Sequence, residues 1–444
     1  MDFKKRRETL SKFMLIWGTI GSMPIINFLS ITAYVWCLMV VPFVVAYHYS
    51  GHIKLYRWRV EPNFLILIIL MMISYLICGM RMPNEWTHGL TTSFIQFLFF
   101  IFTYYIFATS CNVKYLSYFV KGVYYSSIIQ MVWCYIQFGM YKINIDINNI
   151  VFRDILHLIN ESASQFQYGT IKLSGMCWNS GNIAPLFLFG FVYTKDVRIK
   201  ILFLIISFLS GSRTLMIGMI VCMSITVLQY LKSIKKEKRK TLAKAFLSLI
   251  GVTLVIIPII VMNWNSLSIY IEDILNRLNI LENVNSEGSS SVHLGYYMKY
   301  FDIVRKNSLI VNLFGFGPEC SGYPYSTYFN QYTDIIGAWR VESDFMNRLW
   351  AYGHVGFLAY YYWYLKNAFC CIKVDGRFLP LFVSLLIEGI TYNVTFNWTF
   401  LLIVSIFILN RFNYSAFEDV DSVGYLNYFN RLLKTKQHSV INGS

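Results

Sequence analysis

Charge is scarce in this sequence. Asp, Glu, Lys and Arg make up 14% of the 444 residues, against 56% hydrophobic ones. A soluble protein of this length would not reach the mean hydropathy of +0.49. Acidic residues are the scarcer sign, 23 against 38 basic ones, which leaves a net charge of +15. Such a surplus can mark nucleic-acid binding. Here the basic residues sit in short breaks between apolar runs, where they set membrane topology, so no nucleic-acid partner is expected. There is no CxxC pair, no His/Cys cluster with zinc spacing and no GxxxxGK[ST] phosphate loop. No internal repeat with a period of roughly 20–50 residues stands out. Most of the nine cysteines lie inside apolar runs, among them Cys37, Cys78, Cys134, Cys222, Cys370 and Cys371. There they act as small apolar residues. Cys177 and Cys320 fall on the far side of the membrane, where one disulfide is open to them. No cleavable signal is expected, because MDFKKRRETLSK leads into two spans with no small-residue cleavage site between them.

Apolar runs of membrane-spanning length recur from end to end. In lipid the backbone must satisfy its own polar groups, which favours helices. The expected fold is therefore all-α: a polytopic transmembrane bundle of about twelve spans. They are placed at 13–28, 30–47, 63–80, 90–109, 115–140, 180–194, 198–211, 212–231, 242–264, 349–371, 379–393 and 396–411. Residues 1–264 then hold the first nine spans, 265–348 a large loop, 349–411 the last three spans and 412–444 a tail. The basic residues orient the bundle. One side receives Lys4 to Arg7, Lys54, Arg57, Arg59, Lys195, Arg198, Lys200, the run KSIKKEKRK at 232–240, Lys373 and Arg377. The positive-inside rule makes that side cytoplasmic, with both termini, and puts the large loop outside. The loop contains a Gly/Ser-rich stretch, NVNSEGSSS at 283–291, followed by YYMKYFDIVRKNSLIV at 296–311. Tyr297, Tyr300, Phe301 and Val304 recur there at helical spacing. Two placements are open for this stretch: flat on the bilayer, or with its apolar face packed on the bundle. The aromatic content, 18%, fits interfacial belts and a substrate groove.

Several polar residues stand where polar residues are costly. Arg213 lies between two apolar runs in SFLSGSRTLMIGMIV, 207–221. Arginine at the bilayer centre costs about 2.5–3.5 kcal/mol on insertion scales. A turn at Gly211 and Ser212 would set Arg213 at the N-terminus of the next helix, and the two together suit an anion. Snorkelling or an internal salt bridge is the competing reading. Arg277, in IEDILNRLNIL, reads locally as a solvated helix arginine, and Arg340 pairs either with a phosphate or with Glu342. The segment ESDFMNRLWAYGHVG, 342–356, returns the large loop to the membrane. Glu342 or Asp344 can serve there as a general base, while Ser343 or Asp344 can cap the helix that follows. His354 sits in the apolar part of that helix and is either a hydrogen-bonded core residue or a direct participant. Glu388 is an acid inside LPLFVSLLIEGITY, either a functional group, a protonated one, or the partner of an arginine. The glycines of GFGPE, 315–319, make a tight turn rather than a phosphate loop.

Taken in order, these segments resemble the bacterial O-antigen polymerase (Wzy) family within the wider O-antigen ligase-like superfamily. Four stretches carry the likeness: SGMCWNSGNIAP (174–185), SGSRT (210–214), NSLIVNLFGFG (307–317) and ESDFMNRLWAYGHVGF (342–357). The resemblance implies a metal-independent membrane glycosyltransferase with a GT-C-like architecture and no cofactor. Donor and acceptor would be undecaprenyl-diphosphate-linked glycans, with membrane lipid and a chain-length regulator as further partners, at the bacterial inner membrane. It implies diphosphate contacts from Arg213, from Arg277 by position only, and from Arg340. It also implies a substrate contact from Asn179 in the Gly–aromatic–Asn segment. Ligases of the superfamily usually carry a His-Asn dipeptide where this chain has Glu342, Ser343 and Asp344, which favours a polymerase. His293 stands where relatives often place a second loop arginine. A ligase and a lipid-linked-oligosaccharide flippase remain the alternatives; a flippase needs no loop of this length.

Overall fold

A computed structural model describes residues 3–23, 62–81, 113–158, 173–177, 180–233, 295–318, 320–329, 341–392 and 398–411. Among them there is no strand. The α-helices are α1 (Phe3–Gly21), α2 (Pro62–Arg81), α3 (Val113–Tyr141), α4 (Ala184–Tyr193), α5 (Val197–Leu209), α6 (Arg213–Ser233), α7 (Tyr300–Lys306), α8 (Leu309–Phe314), α9 (Tyr323–Phe329), α10 (Asp344–Val374), α11 (Leu379–Thr391) and α12 (Trp398–Arg411). The expected spans at 30–47, 90–109 and 242–264 lie outside the described residues, as do Asn179, Arg277, His293 and Arg340.

The helices start and stop for local reasons. α1 begins well before the expected boundary at residue 13, because KKRRETLSK is a good helix former and Glu8 pairs with Lys12 one turn on, at 3.0 Å. Asp196 caps α5 by accepting the N–H of Arg198 at 2.8 Å. A turn at Ser210–Ser212, with Gly211 at φ 68°, reverses the chain into α6. Pro185 and Pro380 stand in the first turns of α4 and α11, where the missing N–H costs nothing. Only Arg213–Tyr230 is long and apolar enough by itself to cross a membrane among the described residues; Pro62–Ile77, Ala184–Tyr193 and Thr399–Arg411 are shorter apolar helices.

α4 lies at the centre, with all ten of its residues buried. It packs against α3, α5, α6 and α11, while α10 contacts α2, α11 and α12. α1 runs close along α3 because glycines face the crossing. A Cβ on Gly18 would strike the backbone of Phe119, and one on Gly122 the backbone of Leu15. The outward faces are apolar: Leu65, Ile66, Ile69 and Leu76 on α2, and Leu358, Tyr362, Leu365 and Phe369 on α10, are all exposed. On a water-soluble surface such stripes would be a liability; facing hydrocarbon they cost nothing.

The short helices α7, α8 and α9 pack on the N-terminal half of α10 around a second core containing Tyr296, Ile303, Val311, Phe316, Tyr325 and Trp350. Of the two placements open for 296–311, the structure shows the packed one. The helix breaks at Asn307–Ser308, Ser308 caps α8, and Ile303 is fully buried, while Phe301 points outward. α10 itself is kinked at Gly353, whose φ of 67° and ψ of −178° belong to a region that is essentially glycine-only. Carbonyls near the break accept bonds from the GFG turn: Phe316 N–H to Trp350 at 2.8 Å and Gly317 N–H to Ala351 at 3.0 Å. The Ser74 hydroxyl of α2 donates to Ala351 as well, at 2.5 Å. Gly315 and Gly353 lie against each other's strands of backbone so closely that a Cβ on either would overlap it. Two of the motifs singled out in the sequence, GFG and AYGHVG, are thus two sides of one joint.

Candidate active site

The C-terminal end of α11 gathers the chemistry-bearing segments. The last carbonyls of a helix lack partners within it, and here other segments supply them. The Tyr297 hydroxyl donates to the Ile390 carbonyl at 2.6 Å, and the Ser343 hydroxyl to Gly389 at 3.3 Å. The Asp344 N–H donates to the Tyr392 carbonyl at 3.3 Å. From the other direction the Thr391 hydroxyl lies 3.3 Å from that of Thr214, the residue after Arg213. The Tyr392 hydroxyl donates to Asn182 Oδ1 at 2.5 Å, and Gly181 packs on the Tyr392 ring. The SGSRT turn, the SGN turn that precedes α4 and the start of α10 therefore meet at one end of the bundle.

Each is held there by local bonds. Ser210 donates to the Ser207 carbonyl at 2.7 Å and accepts the Ser212 N–H at 3.2 Å. The Ser210 carbonyl in turn receives the Leu173 N–H at 2.9 Å. Arg213 follows, half-buried, as the first residue of α6. Residues 173–177 are clamped by a buried polar stripe on α3: Gln137 Oε1 accepts the Gly175 N–H at 2.9 Å and Gln130 Oε1 the Met176 N–H at 2.8 Å. Asn148 Nδ2 donates to the Gly175 carbonyl at 2.9 Å, and Trp133 Nε1 donates to Asn148 Oδ1 at 2.9 Å.

The carboxylates at the return of the loop differ in setting. Glu342 is exposed. Ser343 is the N-cap of α10 and accepts the Met346 N–H. Asp344 is 2% exposed: Oδ1 lies 3.7 Å from Arg348 Nε, and Oδ2 accepts the Tyr361 hydroxyl at 3.2 Å. The Arg348 guanidinium is itself 4.9 Å from the centre of the Tyr360 ring. Arg348 is a buried cation at the site that the sequence reading did not single out. Its one signal is the i,i+4 spacing from Asp344. Tyr297 lies beside Ser343, their hydroxyls 2.8 Å apart. Burial pushes the Tyr297 phenol up, and the nearby Asp344 adds to the shift, so it stays a neutral donor.

His354 is fully engaged. Nε2 is 2.6 Å from the Tyr300 hydroxyl and Nδ1 2.6 Å from the Asn312 carbonyl. A carbonyl can only accept, so Nδ1 carries the proton and Nε2 accepts from Tyr300. The ring ties α7 and α8 to the kink in α10. Glu388 is 1% exposed, and among the described residues neither of its side-chain oxygens has a hydrogen-bond partner; it faces Gly218 of α6. Cys177 and Cys320 are each buried, in separate cores, and the disulfide left open to them is not formed. Among the described residues, no three His, Cys, Asp or Glu side chains are grouped as a metal site.

These features describe an all-helical bundle among the described residues, with apolar outer faces and, at one end, the arginine turn and the start of α10 both bonded to the end of α11. Residues 199–361 match the model of a family described as O-antigen ligase. The match runs from α5 to the middle of α10, and so covers Arg213, Glu342, Asp344 and His354. The SGMCWNSGNIAP segment and Glu388 lie outside it. No curated protein matches the chain.

Proposed function

We propose that this protein is a polysaccharide polymerase of the O-antigen type, joining undecaprenyl-diphosphate-linked repeats at the outer face of the bacterial plasma membrane. The observation that carries the reading is that Thr214, next to Arg213 at the start of α6, and Asp344, at the start of α10, both bond to the end of α11. The family match over 199–361 supports the same chemistry. In this reading the growing glycan is the donor. The hydroxyl at the non-reducing end of another lipid-linked repeat attacks the anomeric carbon as the carbon–oxygen bond to the diphosphate breaks. Arg213 and the first N–H groups of α6 hold the departing charge, helped by Arg277 and Arg340 of the loop. Glu342, open to solvent, takes the hydroxyl proton. Asp344 is committed to Arg348 and Tyr361, and shapes the site rather than reacting. Asn179 contacts the glycan. A single displacement inverts the sugar.

A ligase reading, with the same donor and a lipid A-core acceptor, is favoured by the description of the matching family. The Glu-Ser-Asp sequence at 342–344, in place of His-Asn, favours the polymerase. The two separate in one experiment: expression in a polymerase-null strain and in a ligase-null strain, with the polysaccharide resolved on a gel. A restored ladder in the first strain only is expected. Within the polymerase-null strain, Arg213→Ala should abolish the ladder while protein still accumulates. Arg213→Lys should restore it only in part, since lysine lacks the planar fork for two phosphate oxygens. Full activity in Arg213→Ala would remove this residue from the site.

A further inference from the structure

The bundle has a second polar feature, at the end away from the candidate active site. α4 runs from just after Asn182, which bonds Tyr392, to just before Thr194; α6 runs from Arg213 to Gln229 and beyond; α11 begins at the far end, just after Arg377. Where these three meet is a cavity of about 230 Å³. It is lined by Lys195, Lys200 and Arg377, with Thr194, Thr226 and Gln229. Among the described residues no carboxylate lines it. Asp375 accepts from Arg377 at 2.9 and 2.8 Å, and Asp196 caps α5. The walls are fixed in place, because Gln229 Nε2 donates to the Gly376 carbonyl at 2.6 Å and so ties the turn carrying Arg377 to α6. Lys200 is half-buried and lies 5.1 Å from the centre of the Phe191 ring. Three cationic side chains, Arg377 among them paired with Asp375, gather around the cavity and give it a charge that suits a phosphate oxyanion.

We propose that this cavity binds the phosphate head group of an anionic phospholipid. The surface around it distinguishes a lipid from a free ion. Within a turn of Lys200, α5 exposes Val197, Ile201 and Leu202, and the adjoining ends of α6 and α10 expose Val227, Leu228 and Val374. A head group in the pocket would leave its acyl chains against apolar side chains. The basic residues here are also those that mark the cytoplasmic side, where anionic lipid meets basic pockets between helices. The inference does not depend on glycosyl transfer.

The test uses the full-length protein in detergent. Thermal unfolding and native mass spectrometry are followed with dioleoyl phosphatidylglycerol, dioleoyl phosphatidylcholine or inorganic phosphate added. Phosphatidylglycerol should raise the melting temperature and be retained in the gas phase; phosphatidylcholine should do neither. Lys195→Gln with Lys200→Gln should weaken phosphatidylglycerol binding by about tenfold or more. If the double variant does not accumulate, Lys195→Gln alone, at an exposed position, and Lys200→Arg, which keeps the charge, give the same reading: the first weakened, the second retained. Equal stabilisation by inorganic phosphate would overturn the lipid and leave a free-anion site. Binding unchanged in the variants, or equal for both lipids, would overturn the site altogether.

Discussion

Glu342 is open to solvent and Asp344 is 2% exposed, although they stand two residues apart. The break between them is the N-cap Ser343, which turns the chain from extended backbone into α10 and sends the two side chains into different surroundings. Their variants should therefore fail differently. Glu342→Gln is expected to lower polymerisation in vitro by about 10²–10⁴-fold, the usual effect of losing a general base, with the melting temperature unchanged. Asp344→Asn strands the Arg348 guanidinium in a buried position, and breaking a buried pair costs about 3–5 kcal/mol. Its melting temperature should fall sharply, and Asp344→Asn combined with Arg348→Met should recover part of the loss. A stable, inactive Asp344→Asn beside an active Glu342→Gln would exchange the two roles. From sequence alone, Asp344 reads as a capping acid worth about 1 kcal/mol; the ion pair raises that expectation because burial, which sequence does not show, sets the cost.

Among the elements, α10 depends most on a single residue. Gly353 holds a backbone conformation that costs other residues about 1–3 kcal/mol, and a Cβ there would also overlap the backbone of Leu313. Gly353→Ala should undo the docking of the GFG turn and lower the melting temperature of the detergent-solubilised protein. Gly139, exposed near the end of α3 with nothing close to its Cβ position, is the matched control. Gly139→Ala should raise stability by about 0.5–1 kcal/mol, through helix propensity alone. Equal melting temperatures for the two variants would remove the kink from the account. Most of the described helices were legible as elements, because an apolar run with polar ends has few other ways to satisfy its backbone. The kink was not, since a glycine at a helix interior looks the same whether it bends the helix or packs against a neighbour. His354 was open for the same reason: only the fold brings Tyr300 and Asn312 to its two nitrogens.

At the scale of the molecule, the arrangement of basic residues predicts which end faces which compartment. With an impermeant maleimide on intact spheroplasts, a cysteine at Ser289 should be labelled and one at Ser233 should not. The opposite pattern would invert the orientation and move both the candidate active site and the basic cavity to the other side. By itself the sequence determined the all-helical class, the places of the helices and the segments worth suspecting, because hydropathy, glycine and charge act locally and leave their mark in the order of residues. Only the tertiary structure decided which of those segments meet. It joined SGSRT to the start of α10 through the end of α11, joined GFG to Gly353, and separated Glu342 from Asp344 by burial. It gathered Lys195, Lys200 and Arg377 into one cavity. These are contacts between residues far apart in the chain or on different faces of one helix, and they depend on how helices pack, which no local pattern records.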